Sequence, residues 1–164
     1  DPVLPFDQPG VDAVERCAAA LTEELGEVAA ETEKLVSGLL AHHRLLVTNH
    51  DSLGYFADRY GFEVVGTVLP TPSGLAEANP GQLEELARVM KRAGVRVIFA
   101  DTQTASADAE AVARSLNGVR VVLLDTDTLG EPGTDESTYV GMLRTTAAVI
   151  VDALSQPDTS QVGS

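Results

Sequence analysis

The chain has 164 residues and a mass of 17.2 kDa, the size of a single domain that buries roughly 70% of its unfolded surface around one core. Its 44% hydrophobic content and mean hydropathy of +0.05 suffice for folding, while its longest apolar runs are strand-sized and too short to span a bilayer. The 25 acidic against 11 basic residues give a formal net charge of -14, which repels phosphate backbones and excludes nucleic acid as a partner. A cation suits that field, although acidity alone is also a solubility feature.

The single cysteine, Cys17, has no partner for an internal disulfide. Val14, Glu15 and Arg16 before it do not make a lipobox. No basic n-region with an apolar h-region opens the chain, and the start at Asp1-Pro2 without Met reads as a fragment of a longer protein. From Val11 to Leu39, the positions Val11, Val14, Ala18, Leu21, Leu25, Val28, Thr32, Leu35 and Leu39 recur alternately three and four apart. This predicts one long amphipathic helix on the order of 40 Å. Pro9-Gly10 blocks it upstream, and Gly26 marks a place where it could bend or split.

After Arg44, apolar runs alternate with helical patterns. Leu45 to Thr48, Glu63 to Leu69, Val95 to Ala100 and Val119 to Leu124 read as buried strands. Between them Ser52 to Tyr60, Gln82 to Ala93 and Ala107 to Leu116 read as helices, and a last helix covers Ser137 to Leu154. Gly61, Gly94 and Gly118 sit where left-handed caps end helices. The predicted fold class is α/β: a four-stranded parallel sheet with helices on both faces, preceded by a long helix. The tail over 156–164 reads as disordered.

Ligands of open parallel sheets bind beyond the carboxyl ends of the strands. Those ends carry Asn49, His50 and Asp51; Pro70, Thr71, Pro72 and Ser73; Asp101, Thr102 and Gln103; and Asp125, Thr126, Asp127 and Thr128. His50 and Asp127 make half of a metal site, since neutral imidazole and carboxylate both suit first-row divalent ions. The plainer reading of His50 is a loop histidine, with Asn49 or Asp51 capping the next helix. His42 and His43 lie at the opposite end of the first strand and read as a solvated helix end. Asp125-Thr126-Asp127-Thr128 also resembles the DxDxT motif of haloacid-dehalogenase-type phosphatases, with Asp125 as nucleophile, Asp127 as acid/base and magnesium as counter-charge. Its late position and the lack of a downstream lysine argue against that family. A receiver-type signalling domain lacks its acidic pair and lysine here. No nucleotide-binding glycine motif or GxSxG elbow is present, and nothing fixes Ser52 or Ser73 in a triad.

Several blocks together resemble the zinc- and manganese-binding receptors of bacterial ABC importers. Leu45-Leu46-Val47-Thr48-Asn49-His50-Asp51-Ser52-Leu53-Gly54-Tyr55-Phe56 is similar to the strand and HDxxGYF block of that family, and Tyr60-Gly61 follows as in it. Pro72-Ser73-Gly74 with Glu77 and Pro80, Ile98-Phe99-Ala100-Asp101, and Asp127-Thr128-Leu129-Gly130 resemble its later blocks, so that the match runs from about Leu45 to Leu154.

The resemblance implies a binding protein and not an enzyme. The family has two lobes joined by a long helix, with the metal in the cleft between them. Residues 1–44 would then be an N-terminal segment with the connecting helix, and 45–155 the C-terminal lobe. His50 matches the first metal ligand of that lobe and Asp127 the second, with Asp101 as a supporting residue. Histidine at position 50, where manganese receptors carry glutamate, leans towards zinc over manganese. The other two ligands are histidines of the N-terminal lobe. Asp1-Pro2-Val3 aligns with the DPH block that carries one of them, and Val3 stands in the ligand's place. The implied partners are a divalent metal ion, an ABC permease and the missing N-terminal lobe. The implied location is extracytoplasmic, at the cell surface or in the periplasm, with a membrane anchor in the full-length protein. A metal-free interaction domain of the same fold is a further alternative.

Overall fold

A computed structural model describes residues 8–69, 79–102 and 107–156. In chain order they form α1 (Gln8–Ser37), a 3-10 turn at Ala41–His43, β1 (Leu45–Thr48), α2 (Gly54–Tyr60), β2 (Glu63–Thr67), α3 (Pro80–Ala93), β3 (Val97–Asp101), α4 (Ala107–Ser115), β4 (Arg120–Leu124), a second 3-10 turn at Asp135–Ser137 and α5 (Tyr139–Ser155). Pro70–Gly74, Glu77, Gln103, Asp1-Pro2-Val3 and the tail from 157 lie outside the described residues.

The four strands form one parallel sheet in the order β2-β1-β3-β4. Central β1 and β3 need apolar residues on both sides, which is why Leu46, Val47 and Ile98 are fully buried and β3 is buried throughout. Alternation along the strands then sorts the core into two layers. Leu46, Val97, Phe99 and Leu124 face α1, α2 and α5, where Val36, Ala57 and Ile150 meet them. Val47 and Ile98 face α3 and α4, against Leu86, Met90 and Val112. Each large side chain so buried contributes roughly 1.5–3 kcal/mol. Edge strands β2 and β4 are only partly covered.

Helix ends follow local chemistry. Gly61 and Gly94 are the C-caps of α2 and α3 with φ of 71° and 72°, a conformation in which glycine lacks the Cβ penalty; Gly118, expected to cap the next helix, lies instead in the turn before β4, three residues past the end of α4, with φ of 76°. The helix expected from Gln82 begins two residues earlier at Pro80. Proline is suited to the first helical position, and Asn79 forms a capping box, its side chain accepting from Gly81 N at 2.9 Å and its N–H donating to Gln82 Oε1 at 3.3 Å. The ladder of β2 ends at Thr67 and not Leu69, yet Val68 N and Leu69 N still donate to the carbonyls of Thr48 and Asn49 at 2.9 and 2.8 Å.

Helix α1 is unbroken over 30 residues, about 45 Å at 1.5 Å per residue. It begins at Gln8, so Pro9 and Gly10 lie in its first turn and do not block it, proline being tolerated there. Gly26 does not split it, because one glycine costs only about 1 kcal/mol relative to alanine. The apolar stripe divides in two. Val28, Thr32, Val36 and, just past the helix, Leu39 are buried, Val36 and Leu39 in the layer with Leu46 and Phe99, and the Thr32 hydroxyl is satisfied by donating to the Val28 carbonyl at 2.8 Å. Leu35, expected on that face, is 41% exposed. The contact steps run four and four, from 28 to 32 to 36, so a stripe spaced at 3.5 falls out of phase with the helix.

Two ion pairs join α1 to α5 and α2. Arg144 of α5 donates to Glu31 at 2.6 and 3.4 Å, and Arg59 of α2 lies 3.7 Å from Glu33. The hydrogen bond from Arg144, reinforced by its charge, holds the Glu31 carboxyl below its ordinary range against a smaller opposing effect of burial. A depressed folded-state pKa stabilises above the unfolded value and is lost as pH falls through the folded one. The difference in urea midpoint between the wild-type chain and Glu31→Gln, present at neutral pH, is therefore expected to close on acidification through the lowered Glu31 pKa. It should also shrink with added salt, since the pair is exposed.

Candidate metal centre

The connections from β1 and β3 diverge, one to β2 and the other to β4, so the sheet's switch point lies between β1 and β3. Thr48 is in register with Phe99, and Asn49 N extends the pairing by donating to the Phe99 carbonyl at 2.7 Å. Asn49 is thereby drawn inside, 1% exposed, and His50 follows at 8%. A tight turn comes next, with Ser52 N donating to His50 O at 2.9 Å. That turn delays α2 to Gly54, and its N-cap is Leu53, which makes no side-chain capping bond. Neither Asn49 nor Asp51 caps the helix, contrary to the plainer expectation.

The second half of the site is built by crossed bonds between the ends of β3 and β4. Thr102 N donates to Leu124 O at 3.0 Å. Asp101, 3% exposed, accepts on Oδ2 from Thr126 N at 3.0 Å and from Thr126 Oγ1 at 2.5 Å. The Thr102 hydroxyl in turn donates to Asp125 Oδ1, while Thr146 Oγ1 of α5 donates to Asp125 O at 3.3 Å. Residues 125 and 126 are held, and Asp127 is the next along the chain. Its Oδ2 lies 3.5 Å from His50 Nε2. The imidazole is sunk in the protein and the carboxylate, 61% exposed, stands in solvent.

The loop beyond Asp127 is closed by small residues. Gly130 N donates to Glu136 O at 3.0 Å, and Thr138 Oγ1 accepts from Gly141 N at 3.1 Å. The Asp135 carbonyl packs directly against Gly141, occupying the space a side chain would take.

Among the described residues no three His, Cys, Asp or Glu side chains converge as a metal set. His50 and Asp127 are a pair. His42 and His43 lie at the other end of the sheet, exposed and edge to face at 4.3 Å, in a groove of about 760 Å³ that also contains Arg96 and Arg120. Arg120 donates to the Ala153 carbonyl at 2.7 Å, so its charge offsets the negative end of α5.

The family described as zinc-uptake complex component A periplasmic, ZnuA, matches residues 6–153. The chain belongs to this family. Zinc-binding protein TroA of Treponema pallidum is 33% identical over 142 residues, which are 84% of this chain and 46% of TroA. The manganese-binding lipoprotein MntA of Bacillus subtilis is 29% identical over 148 residues, 87% of this chain and 48% of MntA. The solved structure of the T. pallidum protein superposes with a TM-score of 0.75 at 33% identity, covering 84% of this chain and 51% of that one. A manganese-bound periplasmic metal-binding protein from Candidatus Liberibacter asiaticus gives 0.79 at 23% identity, covering 90% and 54%, and shares the fold.

The ZnuA-family chain thus spans about half the length of the curated relatives it matches. These relatives are named as metal-binding proteins and not as enzymes. With the Asp125 carboxylate engaged by Thr102, the phosphatase reading has no support. Thr146 and Gly141 were not singled out from the sequence, and Asn49 and Thr126 were noted there only for their place at strand ends, without the contacts that hold them. Their partners are 21 or more positions away or depend on backbone approach, and no local spacing marks such contacts.

Proposed function

We propose that this chain is the C-terminal lobe and connecting helix of an extracytoplasmic receptor that passes a transition metal to an ABC permease. In this reading His50 and Asp127 supply half of the coordination sphere, and histidines of a second lobe supply the rest. The observation that carries it is the 3.5 Å separation of His50 Nε2 and Asp127 Oδ2. Two donors at roughly 2.0–2.2 Å from one ion stand about 2.8–3.6 Å apart, so these two atoms are close enough to share a cation. The nitrogen donor favours zinc over manganese.

Exposed apolar side chains support a second lobe. Val14 and Leu21 on the first two-thirds of α1 are 66% and 45% exposed, with Ala18 between them on the same stripe. Tyr55, Leu129 and Tyr139, also exposed, sit on segments that leave the sheet at the same edge as His50 and Asp127. A membrane anchor belongs to this proposal as a feature of the full-length receptor. No helix among the described residues is long and apolar enough to cross a membrane.

Calorimetric titration of the chain tests the reading. Zinc is expected to bind in the micromolar range or more weakly, because only two of about four donors are present, and more tightly than manganese. Binding should weaken on acidification, because a proton competes with the cation for the Nε2 lone pair. Stoichiometric nanomolar capture, or tighter binding of manganese, would overturn the proposal.

A further inference from the structure

A zinc ion takes about four donors. His50 Nε2 and Asp127 Oδ2, 3.5 Å apart, offer two, and among the described residues no third His, Cys, Asp or Glu side chain joins them. The pair stands at a rim, with the imidazole sunk in the protein and the Asp127 side chain 61% exposed. Donors that complete the shell have to come from water or from outside this chain.

The surface around the pair is both apolar and acidic. Tyr55, 96% exposed, follows His50 by five positions, Leu129 follows Asp127 by two, and exposed Tyr139 opens α5. Aromatic side chains of this kind are enriched where proteins meet. Residues 49–55 and 125–138 also hold six acidic side chains and no lysine or arginine. Two such rims brought within a Debye length, roughly 8 Å at physiological ionic strength, repel one another. A divalent cation held between them offsets that repulsion, so this surface is suited to a contact made through a metal ion.

We infer that two copies of this chain share one zinc ion, each supplying His50 Nε2 and Asp127 Oδ2. A two-fold axis through the ion turns one nitrogen and one oxygen into two of each, the four-donor set that zinc prefers, and the contact is isologous, with the same surface used on both copies. The two positive charges of the ion balance the two Asp127 carboxylates. The pairing therefore depends on the metal, and the apolar rim alone does not hold it against the acidic side chains around it. The inference rests on the proposed function for its two ligands and goes beyond it in the source of the other two. A second lobe of one receptor fills the same positions, so the shared ion belongs to the 164-residue chain by itself.

Sedimentation equilibrium of the 164-residue chain, with zinc chloride as the only addition, is the test. Without zinc the mass is expected at 17.2 kDa. At half an equivalent of zinc it should double, and in large zinc excess it should return towards one chain, because each copy then holds an ion of its own. The doubling should vanish in His50→Gln and in Asp127→Asn. It should persist in His42→Gln/His43→Gln, since those histidines line the groove at the other end of the sheet. Asp127 is exposed, so Asp127→Asn decides the matter if the His50 variant does not fold. A wild-type mass that stays at one chain at every zinc ratio, or a doubling that survives Asp127→Asn, overturns the inference. NMR of the same samples separates it from the reading it rests on. Zinc-induced shifts at His50 and Asp127 with an unchanged mass keep the half-site and remove the shared ion, whereas no shift at either residue removes both.

Discussion

Replacing Gly141 with alanine is expected to dislodge the loop that carries Asp127 and to destabilise the chain by about 3 kcal/mol or more. An ideal Cβ at position 141 falls 1.7 Å from the Asp135 carbonyl oxygen and 2.9 Å from its carbon. Both are backbone atoms, so no side-chain rotation relieves the overlap. The 3-10 turn at Asp135–Ser137 has to lift away from α5. With it go the bond from Gly130 N to Glu136 O and the cap from Thr138 to Gly141 N, which tie the loop back towards Asp127. Urea unfolding reports the stability loss, and amide shifts over residues 125–138 report the displacement. An unchanged unfolding midpoint contradicts the close packing described here.

Asp101→Ala is expected to cost about 2–4 kcal/mol and to free Asp127 from its position beside His50. The carboxylate is 3% exposed and accepts two bonds from Thr126, one from the backbone and one from the hydroxyl. Truncation strands both donors in a partly buried place, where an unsatisfied group loses hydration without replacement. Asp101→Asn retains one acceptor oxygen and is expected to lose about half as much. Unfolding midpoints of the two variants check the order. A midpoint in Asp101→Ala equal to wild type would show that the β3–β4 crossed bonds do not hold the loop.

Much of this architecture is visible in the residue pattern because it follows from local rules. The glycines at 61 and 94 end helices for steric reasons, and the alternation of apolar runs with helical stripes identifies a parallel sheet and the edge at which its strands end. That His50 and Asp127 meet at one edge was legible through their place after strands and through the family blocks around them. What was not legible depends on distance. The burial of Leu35 against that of Val36 turns on a phase difference of one residue in a long helix. The start of α2 at Gly54 depends on a turn made by Ser52 with His50. The fit of Gly141 against Asp135 and the bonds from Asp101 to Thr126 join residues that no spacing rule relates. Asn49 reads as a helix cap in sequence, yet its backbone pairing with Phe99 pulls it into the interior.

In the proposed function the His50 imidazole and the Asp127 carboxylate act on one cation together. Zinc titration followed by NMR in the wild-type chain, His50→Gln, Asp127→Asn and the double variant measures this. A single saturating response is expected at His50 Nε2 and the Asp127 backbone in the wild type, lost almost entirely in either single variant, with no further loss in the double variant. Separate, additive responses from the two positions, or a response confined to His42 and His43, would contradict it.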